Sequence, residues 1–204
     1  QRQMCIRDSH FQASSYSDRY ALMSWIGKAD YSFDDRYYGS VSYRRDGSSR
    51  FSPQNRWGNF WSVGGSWRLT QEEFLKDVEW LSNLKLKASY GTQGNDGILD
   101  INGYVVYQPY LKQYSVTNNN GDFSVVETYR GNKDLTWEKT STWNLGLDFS
   151  ILRNRISGTI DTYISQTSDL LLPSLLPSST GYASVMQNIG KTENKGIEVT
   201  LNTI

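Results

Sequence analysis

Apolar and polar residues alternate along seven separate stretches of this chain. In the clearest, Trp143, Leu145, Leu147, Phe149 and Ile151 alternate with Thr142, Asn144, Gly146, Asp148 and Ser150. A period of two marks a β-strand with two unlike faces. The first strand spans about Leu22 to Phe33, with Met23, Trp25, Gly27, Ala29, Tyr31 and Phe33 opposed to Ser24, Lys28, Asp30 and Ser32. Asp34-Asp35-Arg36 makes a tight turn. In the second, Tyr37, Gly39, Val41 and Tyr43 oppose Tyr38, Ser40, Ser42 and Arg44. A polar loop, DGSSRFSPQNR, leads to the third, where Trp61, Val63, Gly65, Trp67 and Leu69 oppose Ser62, Ser66 and Arg68.

Thr70 to about Leu81 reads as a short helix, because Thr70 and Glu73 have the spacing of a capping box. The fourth strand sets Leu84, Leu86, Ala88 and Tyr90 against Lys85, Lys87 and Ser89. A long Gly/Asn/Asp-rich region from Gly91 to about Thr136 precedes the fifth, and Leu152-Arg153-Asn154 turns the fifth back. The sixth opposes Ile156, Gly158, Ile160, Thr162 and Ile164 to Arg155, Ser157, Thr159, Asp161 and Tyr163. A second long loop, Asp169 to about Asn194, leads to the seventh, with Ile197, Val199, Leu201 and Thr203 against Glu198, Thr200 and Asn202.

Alternation alone suits a soluble sandwich as well as a membrane barrel. Three features favour the barrel. The segments run about 11 to 14 residues, against roughly 5–6 for soluble strands and about 9–11 for a tilted transmembrane strand. The connections go short, long, intermediate, long, short, long, as in barrels whose turns and loops alternate between the two membrane surfaces. No position on the seven apolar faces is charged. Tyr31, Phe33, Tyr37 and Tyr38 beside the first turn, and Trp57 and Trp61 beside the next loop, suit interfacial girdles. Because bacterial barrels carry an even number of strands and open edges are not viable in lipid, seven strands suggest part of a larger barrel.

Composition narrows the field further. Lys plus Arg and Asp plus Glu both number 21, so the chain is neutral and carries no basic footprint for nucleic acid. Mean hydropathy is -0.60, and no apolar run nears the roughly 18 residues of a transmembrane helix. One Cys and one His leave no route to a disulfide, a His-centred triad or a multi-His metal site. No catalytic residue, metal or cofactor is expected. Gln1 to Ser9 (QRQMCIRDS) fit nothing downstream and resemble translated adapter sequence. The expected division is a non-native leader at 1–9 and a partial receptor barrel of about seven strands at 10–204.

Several segments carry a family resemblance. YSFDDRYYGSVSYRRDGSSRF, WGNFWSVGGSWRLTQEEF, LSNLKLKASYGTQGN, NKDLTWEKTSTWNLGLDFSILRNRISGTIDTYISQTSDLLL and NIGKTENKGIEVTL occur in that order. Together they resemble successive motifs of the SusC/RagA family of TonB-dependent transporters. The resemblance implies a plugged barrel of about 22 strands in the outer membrane of a Gram-negative bacterium. It implies a SusD-like surface lipoprotein over the mouth, oligosaccharide or peptide as cargo, and the TonB complex acting through a plug region that this stretch lacks.

Candidate contacts to ligand or partner are Arg44, Arg50, Tyr104, Tyr107 and Tyr110. Arg44, Arg45, Asp46 and Arg50 suit contact with ligand or lid. They equally suit bracing of the mouth by ion pairs, each worth under about 1 kcal/mol if exposed. YVVYQPYLKQY (104–114) suits stacking on sugar rings, or a strand pair above the membrane. Asn118 to Asp122 reads as a polar turn, since its spacing is not that of an EF-hand. Lys28, Asp30, Arg68, Lys85, Lys87, Asp148 and Asp161 should face the lumen. The competing classes are a secreted carbohydrate-active β-sandwich enzyme or binding module, an adhesin barrel, and a TonB-dependent siderophore receptor. Hydrolysis would need two carboxylates about 5–9.5 Å apart, and Glu72, Glu73, Glu138 and Glu198 are the weak candidates.

Overall fold

The computed structural model describes residues 18–119 and 122–204; the segment 1–9 lies outside them. Seven strands form one antiparallel sheet: β1 (Leu22–Phe33), β2 (Tyr37–Ser48), β3 (Trp57–Arg68), β4 (Leu81–Asn95), β7 (Glu138–Ile151), β8 (Ile156–Ser168) and β11 (Lys191–Thr203). Their order in the sheet is their order in the chain. Two small hairpins stand apart, β5 (Gln113–Asn119) with β6 (Asp122–Tyr129), and β9 (Leu171–Leu175) with β10 (Ser184–Asn188). They subdivide the long connections after β4 and β8. Of residues 104–114, where a strand pair was one expectation, 104–112 hold turns and a single bridge, Leu99 to Val105, while Gln113 and Tyr114 open the β5–β6 hairpin.

Register carries the apolar pattern across the whole sheet. Phe33, Tyr37, Trp67, Leu86, Leu147, Ile160 and Val199 are successive partners on one rung. Two residues along, Tyr31, Gly39, Gly65, Ala88, Leu145, Thr162 and Ile197 make the next. Among the described residues, nothing packs over this face. Trp143 is 60 % exposed, Leu145 50 % and Val199 67 %. A second protein layer against the Trp143–Ile151 row would have made the sheet a sandwich, and the described residues form none. Soluble monomers rarely expose a contiguous apolar patch of this extent; acyl chains are the solvent it fits.

The tight turns have a physical cause. Asp34 and Asp35 both sit at φ 50°, in the left-handed region that Asp tolerates better than most residues. The Arg36 amide closes onto the Phe33 carbonyl at 3.0 Å. Leu152, Arg153 and Asn154 repeat that backbone between β7 and β8, and the Ser150 hydroxyl donates to Asn154 Oδ1 at 2.6 Å. Both turns and the 69–80 connection lie at one end of the sheet. The connections 49–56, 96–137 and 169–190 lie at the other, which the short-turn/long-loop rule makes the extracellular end.

The helix expected from Thr70 to Leu81 is absent. A single 3₁₀ turn spans Leu69–Gln71, capped by Arg68 without a side-chain bond. Further three-residue turns follow, with amides of Glu72, Leu75, Val78 and Leu81 bonded to carbonyls of Leu69, Glu72, Leu75 and Val78. Tertiary partners override the local capping signal. Glu72 accepts from Trp67 Nε1 at 2.9 Å and the Tyr37 hydroxyl at 2.8 Å, and pairs with Arg36 at 3.6 Å. Tyr37 and Trp67 stack, centroids 6.1 Å apart, as an aromatic rim at this end. At the other end Trp61, Tyr90 and Trp143 form a ladder at 5.1 and 4.3 Å. Tyr38, grouped with the girdle above, instead faces the polar side beneath Lys85.

Candidate functional site

The polar face is the inner wall. At its centre, Ser66, Lys87, Gly146, Asp161 and Glu198 share a rung. Lys87 Nζ lies 2.6 Å from Asp148 Oδ1 and 3.5 Å from Asp161 Oδ1. Gly146 makes room for the cluster: a β-carbon there would run into the Asp161 carboxylate and stand 2.9 Å from Lys87 Cε. Lys85 Nζ sits 5.1 Å from the Tyr38 ring centroid, with the Arg68 guanidinium at 5.8 Å. Lys28 and Asp30 pair at 3.0 Å. Hydroxyl pairs cross-link the strands higher up, Ser42 with Ser62 at 2.7 Å, Thr140 with Thr167 at 2.9 Å and Thr142 with Ser165 at 3.0 Å.

This wall offers balanced charge and many hydroxyl, amide and carboxylate groups. It can hydrogen-bond a passing polar solute or a protein segment filling the lumen. Among the described residues, no group of three or more His, Cys, Asp and Glu could hold a metal ion.

The extracellular end closes over a small core. Phe51, Phe60, Ile98, Leu135, Trp137, Leu171 and Met186 are buried together, with Val106 and Tyr129 packed against them. Phe51 and Phe60 meet the Trp137 ring at 5.2 and 5.6 Å. Burying each such ring is worth about 1.5–3 kcal/mol. Polar bonds tie the three connections together. Ser52 Oγ donates to the Lys133 carbonyl at 2.8 Å, Trp137 Nε1 to that of Arg56 at 2.9 Å, and Asn132 Nδ2 to that of Met186 at 2.8 Å. Burial pushes the Tyr129 phenol up to about 12. On the β5–β6 arm, Lys112 pairs with Glu127 at 3.0 Å, which holds the Glu127 carboxyl low.

The five candidate contact residues separate into two kinds. Arg50 is a brace. Its Nη1 donates to the Asp96 carbonyl at 2.9 Å and stands 3.8 Å from the Asp96 carboxylate. Its guanidinium lies between the rings of Tyr20 and Tyr107, at 4.6 and 5.8 Å. Asp96 also accepts from Ser48 at 2.6 Å and Tyr20 at 3.0 Å. Burial and then the Asp96 carboxylate push the Tyr20 phenol up. Arg44 holds the buried Asp46 at 2.7 Å from the inner face and is itself half exposed. Tyr104 stands clear, 73 % exposed. The Asp100 carboxylate shapes its turn by accepting the amides of Asn102 and Tyr104, each at 2.8 Å. Tyr110 is partly buried. Thus Arg50 and Tyr107 are brought together, and Arg44 and Tyr104 remain separate. Arg45, grouped with them on sequence, lies on the outer face over Trp57 at 5.1 Å.

Residues 7–203 match the family model described as TonB dependent receptor-like, beta-barrel. The chain is 41 % identical over 199 residues to the TonB-dependent receptor SusC of Bacteroides thetaiotaomicron, covering 94 % of this chain and 19 % of that protein. It is 38 % identical over 182 residues to the TonB-dependent receptor P39 of Formosa agariphila, covering 89 % and 17 %. Among solved structures, the RagAB peptide importer in its closed-closed state superposes with a TM-score of 0.81 at 34 % identity, over 90 % of this chain and 20 % of that one. The open-open state gives 0.78 at 36 % identity, over 89 % and 19 %. The chain therefore spans about a fifth of the length of the curated relatives it matches.

Proposed function

The chain belongs to the TonB dependent receptor-like β-barrel family, and from that premise we propose that it supplies seven adjacent wall strands of a TonB-driven importer. Its place is the outer membrane of a Gram-negative bacterium. The cargo is an oligosaccharide or a peptide, and a SusD-like lipoprotein covers the mouth. The similarity to the RagAB peptide importer supports peptide as cargo, and the resemblance to the SusC/RagA family supports either class. TonB acts through a plug inside the barrel.

The observation that carries this reading is the two-faced sheet. One face is uncharged across its middle rungs and uncovered; the other is polar and studded with paired ions. An enzyme or sandwich module would bury the first face. Of the candidate contacts, Tyr104 and Arg44 meet cargo or lid, while Arg50 and Tyr107 hold the mouth in shape. Tyr110 joins the contact set from the same connection.

The test uses the full-length receptor. Deleting its gene should abolish growth on one polymer class, glycan or peptide, and the intact gene should restore it. Affinity purification in mild detergent should recover a SusD-like lipoprotein. Unchanged growth on every polymer, with no lipoprotein recovered, overturns the reading.

A further inference from the structure

On the outer face the charge-free pattern ends before the strands do. At the extracellular ends of β7, β8 and β11, register places Lys139, Ser168 and Lys191 on one rung, then Ser141, Gln166 and Glu193, then Trp143, Ile164 and Lys195. These rungs follow directly on the uncovered apolar face, which begins with Trp143, Ile164 and Ile197. Lys139 and Lys191 are exposed, and among the described residues neither has an ion-pair partner. Lys195 is 74 % exposed at its side chain and reaches Glu193 at 3.7 Å. Gln166 Nε2 donates to Glu193 at 2.7 Å. Arg45, over Trp57, carries the same cationic level round to β2.

The opposite end differs. Its outer-face positions are Phe33, Tyr37, Trp67, Leu84, Phe149, Ile151, Ile156 and Leu201, with no cation among them. Along the outer face of the strands themselves, cations therefore occur only towards the extracellular end, just beyond an aromatic level. Strands of 13 and 14 residues outreach the roughly 9–11 that cross hydrocarbon, so the lysines stand among headgroups. There a Lys is tolerated and attracts anionic lipid. Lys139 and Lys191 are two strands apart, about 10 Å, with the Ser168 hydroxyl and Gln166 amide between.

We propose that the Lys139–Lys191–Lys195 patch binds lipopolysaccharide of the outer leaflet. The ammonium groups take the phosphates of its acylated disaccharide. Ser168 and Gln166 take sugar hydroxyls, and the acyl chains lie on Trp143, Ile164 and Ile197. The fit is charge complementarity continuous with a lipid-facing surface. The inference rests on the outer-membrane placement above.

The experiment uses the full-length receptor in nanodiscs of phosphatidylethanolamine alone, with added lipopolysaccharide, or with added phosphatidylglycerol. Amine labelling read by mass spectrometry should show Lys139, Lys191 and Lys195 protected by lipopolysaccharide only, with Lys28 unchanged. A Lys139→Gln/Lys191→Gln/Lys195→Gln receptor that retains heat-modifiable migration should co-purify with roughly tenfold less lipopolysaccharide or lower still. The Arg triple variant should retain it. No protection, equal protection by phosphatidylglycerol, or protection in lipid-free detergent by a second protein chain overturns the proposal. A receptor absent from the outer-membrane fraction fails the earlier reading; one present there with unprotected lysines fails this one alone.

Discussion

Single residues show which contacts decide the two ends of the sheet. Trp137 joins Phe51 and Phe60 and donates to the Arg56 carbonyl. Trp137→Ala should cost about 3–5 kcal/mol of local stability, seen as faster proteolysis of the 96–137 and 169–190 connections; unchanged cleavage would remove Trp137 from that role. At the other end, Glu72 is held below its ordinary 4.5 by the Trp67 indole and the Tyr37 hydroxyl, then by Arg36. A depressed carboxyl contributes fully above the unfolded value and loses that contribution as pH falls through the folded one. Hydrogen exchange of residues 69–80 should therefore quicken between about pH 4.5 and lower values, and Glu72→Gln should abolish the dependence. These clusters were hidden in the sequence. Phe51, Ile98, Leu135 and Met186 follow no period, and Glu72 looked like part of a helix start because its partners Trp67 and Tyr37 come from neighbouring strands.

At the scale of the strand, the two faces make opposite demands. Leu145 faces out, 50 % exposed, and Asn144 faces in. Leu145→Arg should cost about 2–4 kcal/mol at the midplane, and Asn144→Arg within about 0.5 kcal/mol. Heat-modifiable migration of the full-length receptor measures both; equal effects would contradict the assignment of faces. Strand centres were readable because lipid and water impose a strict period of two. Strand ends were not. The alternation of the second strand ends at Arg44, yet the strand runs to Ser48, because Arg45 and Gly47 break the apolar series where lipid gives way to headgroups. The same truncation concealed Lys139, Lys191 and Lys195. The sequence offers Arg50 both as a contact and as a brace of the mouth; the bracing geometry depends on Asp96, distant in sequence.

For the molecule as a whole, β1 and β11 each leave one edge unpaired within the sheet. Exposed edges template further pairing, and lipid tolerates none. Refolded alone in detergent, the 204-residue chain should form oligomers by light scattering, and a monodisperse β-rich monomer would contradict the need for flanking strands. Every strand of the sheet also lies beside its predecessor in the chain. A membrane-insertion machine receiving this polypeptide can therefore add it stepwise, each arriving segment docking on the one just placed. No part of the wall has to wait for a remote partner before it is seated.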